Sequence, residues 1–362
     1  MKPSDISRMR LMNQSVATSE FKSPGEVANW MGALQAQDYS MSKWAIGVRL
    51  RGSTDRIIGD AINRGEILRT HVLRPTWHLV SPENIRWLLN LTAPVIKSSL
   101  TSRHIELELS EALINKCFKI FRQSLKQANH LTREELISVL ARHKISVENQ
   151  RAYHVFVRAE LDGIICSGIV KGGKQTYALL DERVPLKKDL AKNEALKKLA
   201  LIYFTSHGPA TLQDFKWWSG LPAADARNAF EIVKPEMASE KTASELYLFP
   251  DVHNFPVNDN RTALLLPAFD EFLISYKDRS HSLALAHFKK AVSENGIFRP
   301  VIVLDGQIIG LWKRTIKKEK VIIETELFKP CNKTTWTKIE KGAEKFALFI
   351  EKKPEIKFIY AK

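Results

Sequence analysis

Cysteine is scarce in this 362-residue chain: Cys117, Cys166 and Cys331 stand far apart and odd in number. With no CxxC and no Cys/His cluster, neither a disulfide framework nor a zinc site is expected. The three read as core or incidental thiols of a reducing cytoplasm. Long apolar runs are missing too. No stretch approaches the ~20 apolar residues of a spanning helix, and residues 1–14 lack the apolar core of a signal peptide. The expectation is therefore a cytoplasmic, nucleoid-associated protein with no membrane contact and no evident obligate protein partner. Negative charge is in deficit, with 40 Asp and Glu against 55 Lys and Arg, a net +15 and a pI near 9.6. Such an excess favours a polyanion, because each cation placed on a phosphate releases condensed counterions. Nucleic acid is the partner expected from charge, with a membrane surface as the weaker rival; the helix-turn-helix segments of the chain narrow it to double-stranded DNA. A 44% hydrophobic and 26% charged composition is an ordinary globular balance, and the length allows roughly two to four domains.

Three segments repeat one theme: a helix start, a turn, another helix, then strand-like sequence. In 130–181, Thr132-Arg133-Glu134-Glu135 is a capping box. A second helix fits 149–161. Two β-rich runs, 164–170 and 175–180, flank the tight basic turn Lys171-Gly172-Gly173-Lys174. In 190–250, helices break at Gly208-Pro209 and Gly220-Leu221-Pro222, and 223–233 offers Arg227 and Asn228 on its polar side. In 4–80, Ser23-Pro24-Gly25-Glu26 opens a helix with an apolar stripe of Val27, Trp30, Met31 and Leu34. A helix at 55–63 and β-rich sequence at 67–80 follow. The last segment is strand-rich over 263–276 and 298–312, where Asp305-Gly306 is a hairpin turn signal, and adds a helix at 339–350 and a strand at 357–360. The fold class expected is α+β. Tandem winged-helix units cover 1–100, 101–188 and 189–260, and a strand-rich α+β or small-barrel domain covers 261–362. Residues 185–192 read as a lysine-rich linker.

Four separated segments, LQAQDYS, RTHVLRPTWHLVSPE, LLLPAFDEFLISYKDR and NGIFRPVIVLDGQIIGLWKR, resemble the AlkZ-type winged-helix DNA glycosylases, the family that includes YcaQ. The resemblance implies three winged helices in a C-shaped arrangement around DNA. It implies release of alkylated purines, sometimes including interstrand crosslinks, without metal or cofactor. The family's Gln-x-Gln motif falls on Gln35 and Gln37, with Gln at the second position as in the AlkZ-like branch. A duplex-probing β-hairpin falls on 298–312.

Residues two apart in an extended segment share a side, so both amides are expected to face one cavity where the helix frays after Leu34. An amide is no strong general acid or base, and acid–base catalysis is worth ~10²–10⁴-fold. An N7-alkylated purine already carries positive charge and leaves without protonation. Positioning water and stabilising an oxocarbenium-like sugar remain, and amide dipoles suit both. Asp38 is the runner-up base. Pocket candidates are Asp38, Tyr39, His71, Trp77 and His78. Alternation puts Arg69, His71 and Leu73 on one face and Thr70, Val72 and Arg74 on the other, with Pro75 resetting the register. Asp270-Glu271 reads as a helix cap, a buried ion pair or a second acidic site. DNA-binding candidates are Arg69, Arg74, Lys171, Lys174, Arg227, Arg299, Lys313 and Arg314. The competing readings are a winged-helix transcription regulator and a catalytically silent damaged-DNA-binding protein.

Overall fold

Local chemistry sets the helix ends. Ser23 accepts from the Glu26 N–H at 3.2 Å and opens the helix Pro24–Met31. The Glu26 carboxylate reaches past Ser23 to the Lys22 N–H at 2.9 Å, so the expected reciprocal box is half made. Gly32, at φ 72°, closes the helix, and Leu34 leaves the apolar stripe for a short strand, Leu34–Gln35. Asp38 then caps a helix that sequence reading did not contain, Tyr39–Gly47. Asp55–Arg64 follows and ends at Gly65 as expected. The β-rich run 67–80 is an antiparallel hairpin, Leu68–Val72 and Arg74–Val80, with Leu34–Gln35 added to its second strand. The chain reverses at Leu73, whose φ is 63°, so the register changes there and Pro75 lies inside the returning strand.

These facts come from a computed structural model that describes residues 2–16, 19–242, 245–251 and 262–360. The expected boundary at 260/261 lies outside the described residues. The helices Ile85–Ser99, Thr101–Glu106 and Glu111–Leu125 lead to the second theme. There Thr132 and Glu135 form the full capping box at the head of Arg133–Arg142. Arg151–Leu161 and the hairpin Ile165–Lys171/Lys174–Leu179 complete it. Gly172 and Gly173 both carry positive φ, 54° and 78°, the backbone that a two-residue hairpin turn requires. The third theme is Lys192–His207, Leu212–Ser219 and Ala223–Val233, followed by the hairpin Ala238–Thr242/Glu245–Phe249. Gly220 turns the chain at φ 67°, and a Cβ there would sit 2.4 Å from the Leu73 carbonyl, so the first hairpin and this turn approach to backbone distance.

The C-terminal part is a five-stranded sheet. Its order is Lys353–Tyr360, Lys320–Leu327, Gln307–Ile316, Val301–Leu304 and Leu264–Leu266, flanked by the helix Lys333–Phe349. The β-rich reading of 263–276 shrinks to Leu264–Leu266 and a short helix, Glu271–Ile274. The 298–312 hairpin is not a free probe: Val301, Ile302, Val303 and Trp312 are buried, and the Asp305-Gly306 turn abuts Ser7 and Arg8. The exposed turn lies at the other end of the long strand, where Lys317 and Lys318 lead into Lys320–Leu327 beside a half-exposed Ile316. Among the described residues no helix is long and apolar enough to cross a membrane.

The first segment and this sheet share one core. Trp44 packs on Phe346 and Phe349 and donates to the Leu265 carbonyl at 2.7 Å. Arg49, fully buried, spends all its donors on Gln14, the Ala45 carbonyl and both oxygens of Asp270. Removing one partner of a buried pair strands the other charge. Arg49→Met is expected to cost about 3–5 kcal/mol in urea denaturation, with much of it recovered in Arg49→Met/Asp270→Leu.

Candidate active site

The Gln-x-Gln segment is clamped from three directions. Gln35 lies in the short strand, opposite His78. Its N–H points away from that strand and donates to Glu271 Oε1 at 2.7 Å. Its side-chain Oε1 accepts from Arg74 Nη2 at 2.9 Å. The Ala36 N–H donates to the Trp77 carbonyl at 2.7 Å, and the Ala36 carbonyl accepts from both Nε and Nη2 of Arg69. The Trp77 N–H then donates to Gln37 Oε1 at 3.1 Å, so a side-chain amide continues the ladder. The two glutamines thus lean on the same strand, yet they differ. Gln35 is 6% exposed and sits in the interior, whereas Gln37 presents its amide to solvent.

Glu271 is the anchor of this arrangement. Besides Gln35, it accepts from Trp218 Nε1 at 3.2 Å and from the Ser275 hydroxyl, and His207 Nε2 lies 3.8 Å away. Burial alone would raise its pKa, but His207, Ser275 and the Arg74 charge outweigh it and pull the carboxyl from the usual 4.5 down to about 2. Neighbouring Asp270 is both the cap of Glu271–Ile274 and the partner of Arg49. The pair therefore combines the cap and ion-pair readings with a third role, holding the motif.

The pocket candidates separate. Asp38 accepts the Met41 N–H as a helix cap and faces Arg314 at 3.6 Å. Tyr39 is half-buried, with the Arg69 guanidinium 5.8 Å from its ring centre. Trp77 is half-buried beside His71, at 4.7 Å between ring centres, and carries the Arg69 guanidinium at 4.2 Å. His71 is buried and bonded to Glu160. His78 is turned inward, its Nδ1 on the Thr76 carbonyl. Burial and the Arg74 charge push its pKa down to about 3, so it stays neutral. A buried, neutral His78 does not line an open pocket.

Glu160 escaped sequence reading. It is 2% exposed, and Trp77 Nε1 donates to its other oxygen at 3.4 Å. The available signal is a carboxylate on an apolar helix face, with Phe156 and Val157 one helical turn before it.

A model of the AlkZ-like DNA glycosylases matches residues 28–349. The chain belongs to this family. It is 23% identical over 334 residues to an interstrand DNA cross-link repair glycosylase of Streptomyces sahachiroi, spanning 84% of this chain and 85% of that protein. The fold matches that of the Streptomyces sahachiroi DNA glycosylase AlkZ with a TM-score of 0.81 at 19% identity, over 99% of this chain and 100% of the other.

In this AlkZ-like chain the basic candidates fall into two groups. Arg69 and Arg74 are consumed inside the site, and burial lowers the pKa of both. Lys171 is tied to the His130 carbonyl and Arg314 to Asp38. Lys174, Arg227, Arg299 and Lys313 are exposed on four separate elements or loops.

Glu271 has a pH signature. A depressed carboxylate pKa contributes stability that is complete above 4.5 and is lost as pH falls towards 2. Glu271→Gln is expected to lower the urea midpoint at neutral pH and to flatten its fall between those two values. An unchanged pH profile would show that the charge on Glu271 does not matter.

Proposed function

We propose that this chain is a monofunctional DNA repair glycosylase that hydrolyses the N-glycosidic bond of cationic, N7-alkylated purines in duplex DNA. The observation that carries the reading is Gln37: an exposed amide, fixed by the Trp77 N–H, next to a buried and clamped Gln35. In this reading the second lone pair of Gln37 Oε1, left over from the Trp77 N–H, accepts from the attacking water and faces the developing sugar cation, while Gln35 sets its position. Amide nitrogens do not form a Schiff base with the sugar, so the bond is broken by water. Asp38 is a weaker base candidate, because its oxygens serve the Met41 N–H and Arg314.

The relative from Streptomyces sahachiroi carries crosslink repair in its name, and an exposed Gln37 suits bulky adducts, so interstrand crosslinks fall within the proposed substrates. Neither metal nor cofactor enters the proposal. The three helix sets, each followed by a hairpin, support winged-helix units over 1–100, 101–188 and 189–260, with 261–362 as the fourth part. Lys174, Arg227, Arg299 and Lys313 are the proposed phosphate contacts. The hairpin turn at Lys317-Lys318, beside the Arg314–Asp38 contact, replaces 298–312 as the element that meets the duplex.

The test is a duplex carrying N7-methylguanine, assayed for abasic sites. Wild type is expected to release the base. Gln37→Ala is expected to slow release by about 10²-fold, the scale of losing one oriented dipole. No release across several cationic lesions, together with a preferred undamaged sequence, would favour the transcription-regulator reading instead. Release by Gln35→Ala and Gln37→Ala at the wild-type rate would remove the mechanism.

A further inference from the structure

Beside the strand that holds Gln37 lies a cavity of about 400 Å³, whose walls include Arg69, Trp77, Arg133, Glu160, Lys174 and Tyr177. Most of these groups are already engaged. The Arg69 guanidinium serves the Ala36 carbonyl and Gln175 Oε1 and stacks on Trp77. Glu160 receives Trp77 and His71. Tyr177 is pushed well above its usual pKa by burial and stays a neutral wall.

Arg133 differs. Its Nε is buried without an acceptor, and no described residue bonds its guanidinium, which lies 5.6 Å from the Phe156 ring centre. Lys174, across the cavity at the exposed turn, closes no ion pair within 4 Å among the described residues and feels the more distant Glu135. The lining sets three cations against two carboxylates, and neither Glu134 nor Glu160 closes an ion pair with Arg133. A planar fork of donors beside an ammonium matches a phosphodiester better than any neutral group.

We propose that this cavity seats a backbone phosphate of bound DNA, with Arg133 as its bidentate ligand and Lys174 as its second charge. The seat borders Trp77, whose main chain fixes Gln37, so the phosphate held there sets the register of the strand at the Gln-x-Gln segment. The inference rests on the DNA-binding part of the reading above, not on catalysis.

The experiment measures binding of a short undamaged duplex by fluorescence anisotropy across a salt series. Arg133→Gln is expected to weaken binding about tenfold and to reduce the slope of log K against log salt by about 0.9, one phosphate contact. Arg133→Lys is expected to restore the slope but not the full affinity, since lysine supplies charge without the fork. Lys174→Gln is expected to lower the slope similarly. Arg133→Gln with wild-type slope and affinity overturns the proposal. If that variant fails to fold, Arg133→Lys decides, and wild-type affinity in it overturns the bidentate contact. Because the duplex is undamaged, these outcomes are independent of base release: a wild type that releases no base leaves this proposal standing, and an unaltered Arg133→Gln leaves the glycosylase reading standing.

Discussion

A carboxylate in a protein interior must be met by donors, or it takes up a proton. Glu271 is met by Gln35, Trp218 and Ser275, with His207 and Arg74 close enough to favour its charge. Those groups come from four distant parts of the chain. Satisfying one buried charge therefore forces the first strand, the third helix set and the 270 loop into a single arrangement. The bond to Gln35 uses its main-chain N–H, not its side chain. The motif is thereby fixed through its main chain, and its two side-chain oxygens are held separately, by Arg74 and by the Trp77 N–H.

The rest of the site extends this logic across the molecule. Arg69, on the first hairpin, links the Ala36 carbonyl to Gln175 on the second hairpin. Glu160, on the second helix set, holds the Trp77 indole and His71. Arg314, on the C-terminal sheet, reaches Asp38 at the head of Tyr39–Gly47. No single helix set holds the motif alone. Groups fixed by buried partners on rigid elements need little reorganisation when charge develops beside them, which is how an otherwise weak dipole becomes effective.

What the sequence disclosed follows the range of the forces involved. The Thr132 box, the Gly172-Gly173 turn and the helix ends at Gly65 and Gly220 depend on neighbours within a few residues, and they were legible. The apolar stripe through Leu34 misled, because spacing alone does not register that Gly32 takes a positive φ and ends the helix. The reversal at Leu73 has no turn signal in the sequence, where only Pro75 marks a change of register; in the fold Leu73 takes a φ of 63° with its carbonyl close against Gly220. The parallel pairing of Lys320–Leu327 with Lys353–Tyr360 joins strands separated by a helix and has no local mark. The position of Gln35-Ala36-Gln37 was readable only through resemblance to a family. Its partner Glu271, and Glu160 behind Trp77, lie more than a hundred residues away in sequence, and no spacing rule connects them. Arg69 and Arg74, DNA-binding candidates by charge, turn inward to carbonyl and amide oxygens, a direction that charge in a sequence does not reveal.

That inward turn bears on the proposed substrate. The chain is strongly basic, and a purine made cationic by alkylation would be repelled by unbalanced guanidinium groups at the site. At ~8 Å with an effective dielectric of about 20, one uncompensated charge opposes another by about 2 kcal/mol, enough to slow the encounter and the chemistry more than tenfold. The two guanidinium groups that touch the Gln-x-Gln segment are each answered by a buried carboxylate. Glu271 favours the charge of Arg74, and Glu160 favours that of Arg69. With those pairs balanced, the orientation of the Gln37 amide is left to decide how a cation is received. A site built this way can sit on a protein of net charge +15 and still accept a positively charged base. Under the proposed function the surface would draw in phosphates, while Arg69 and Arg74 present little unbalanced charge to the base.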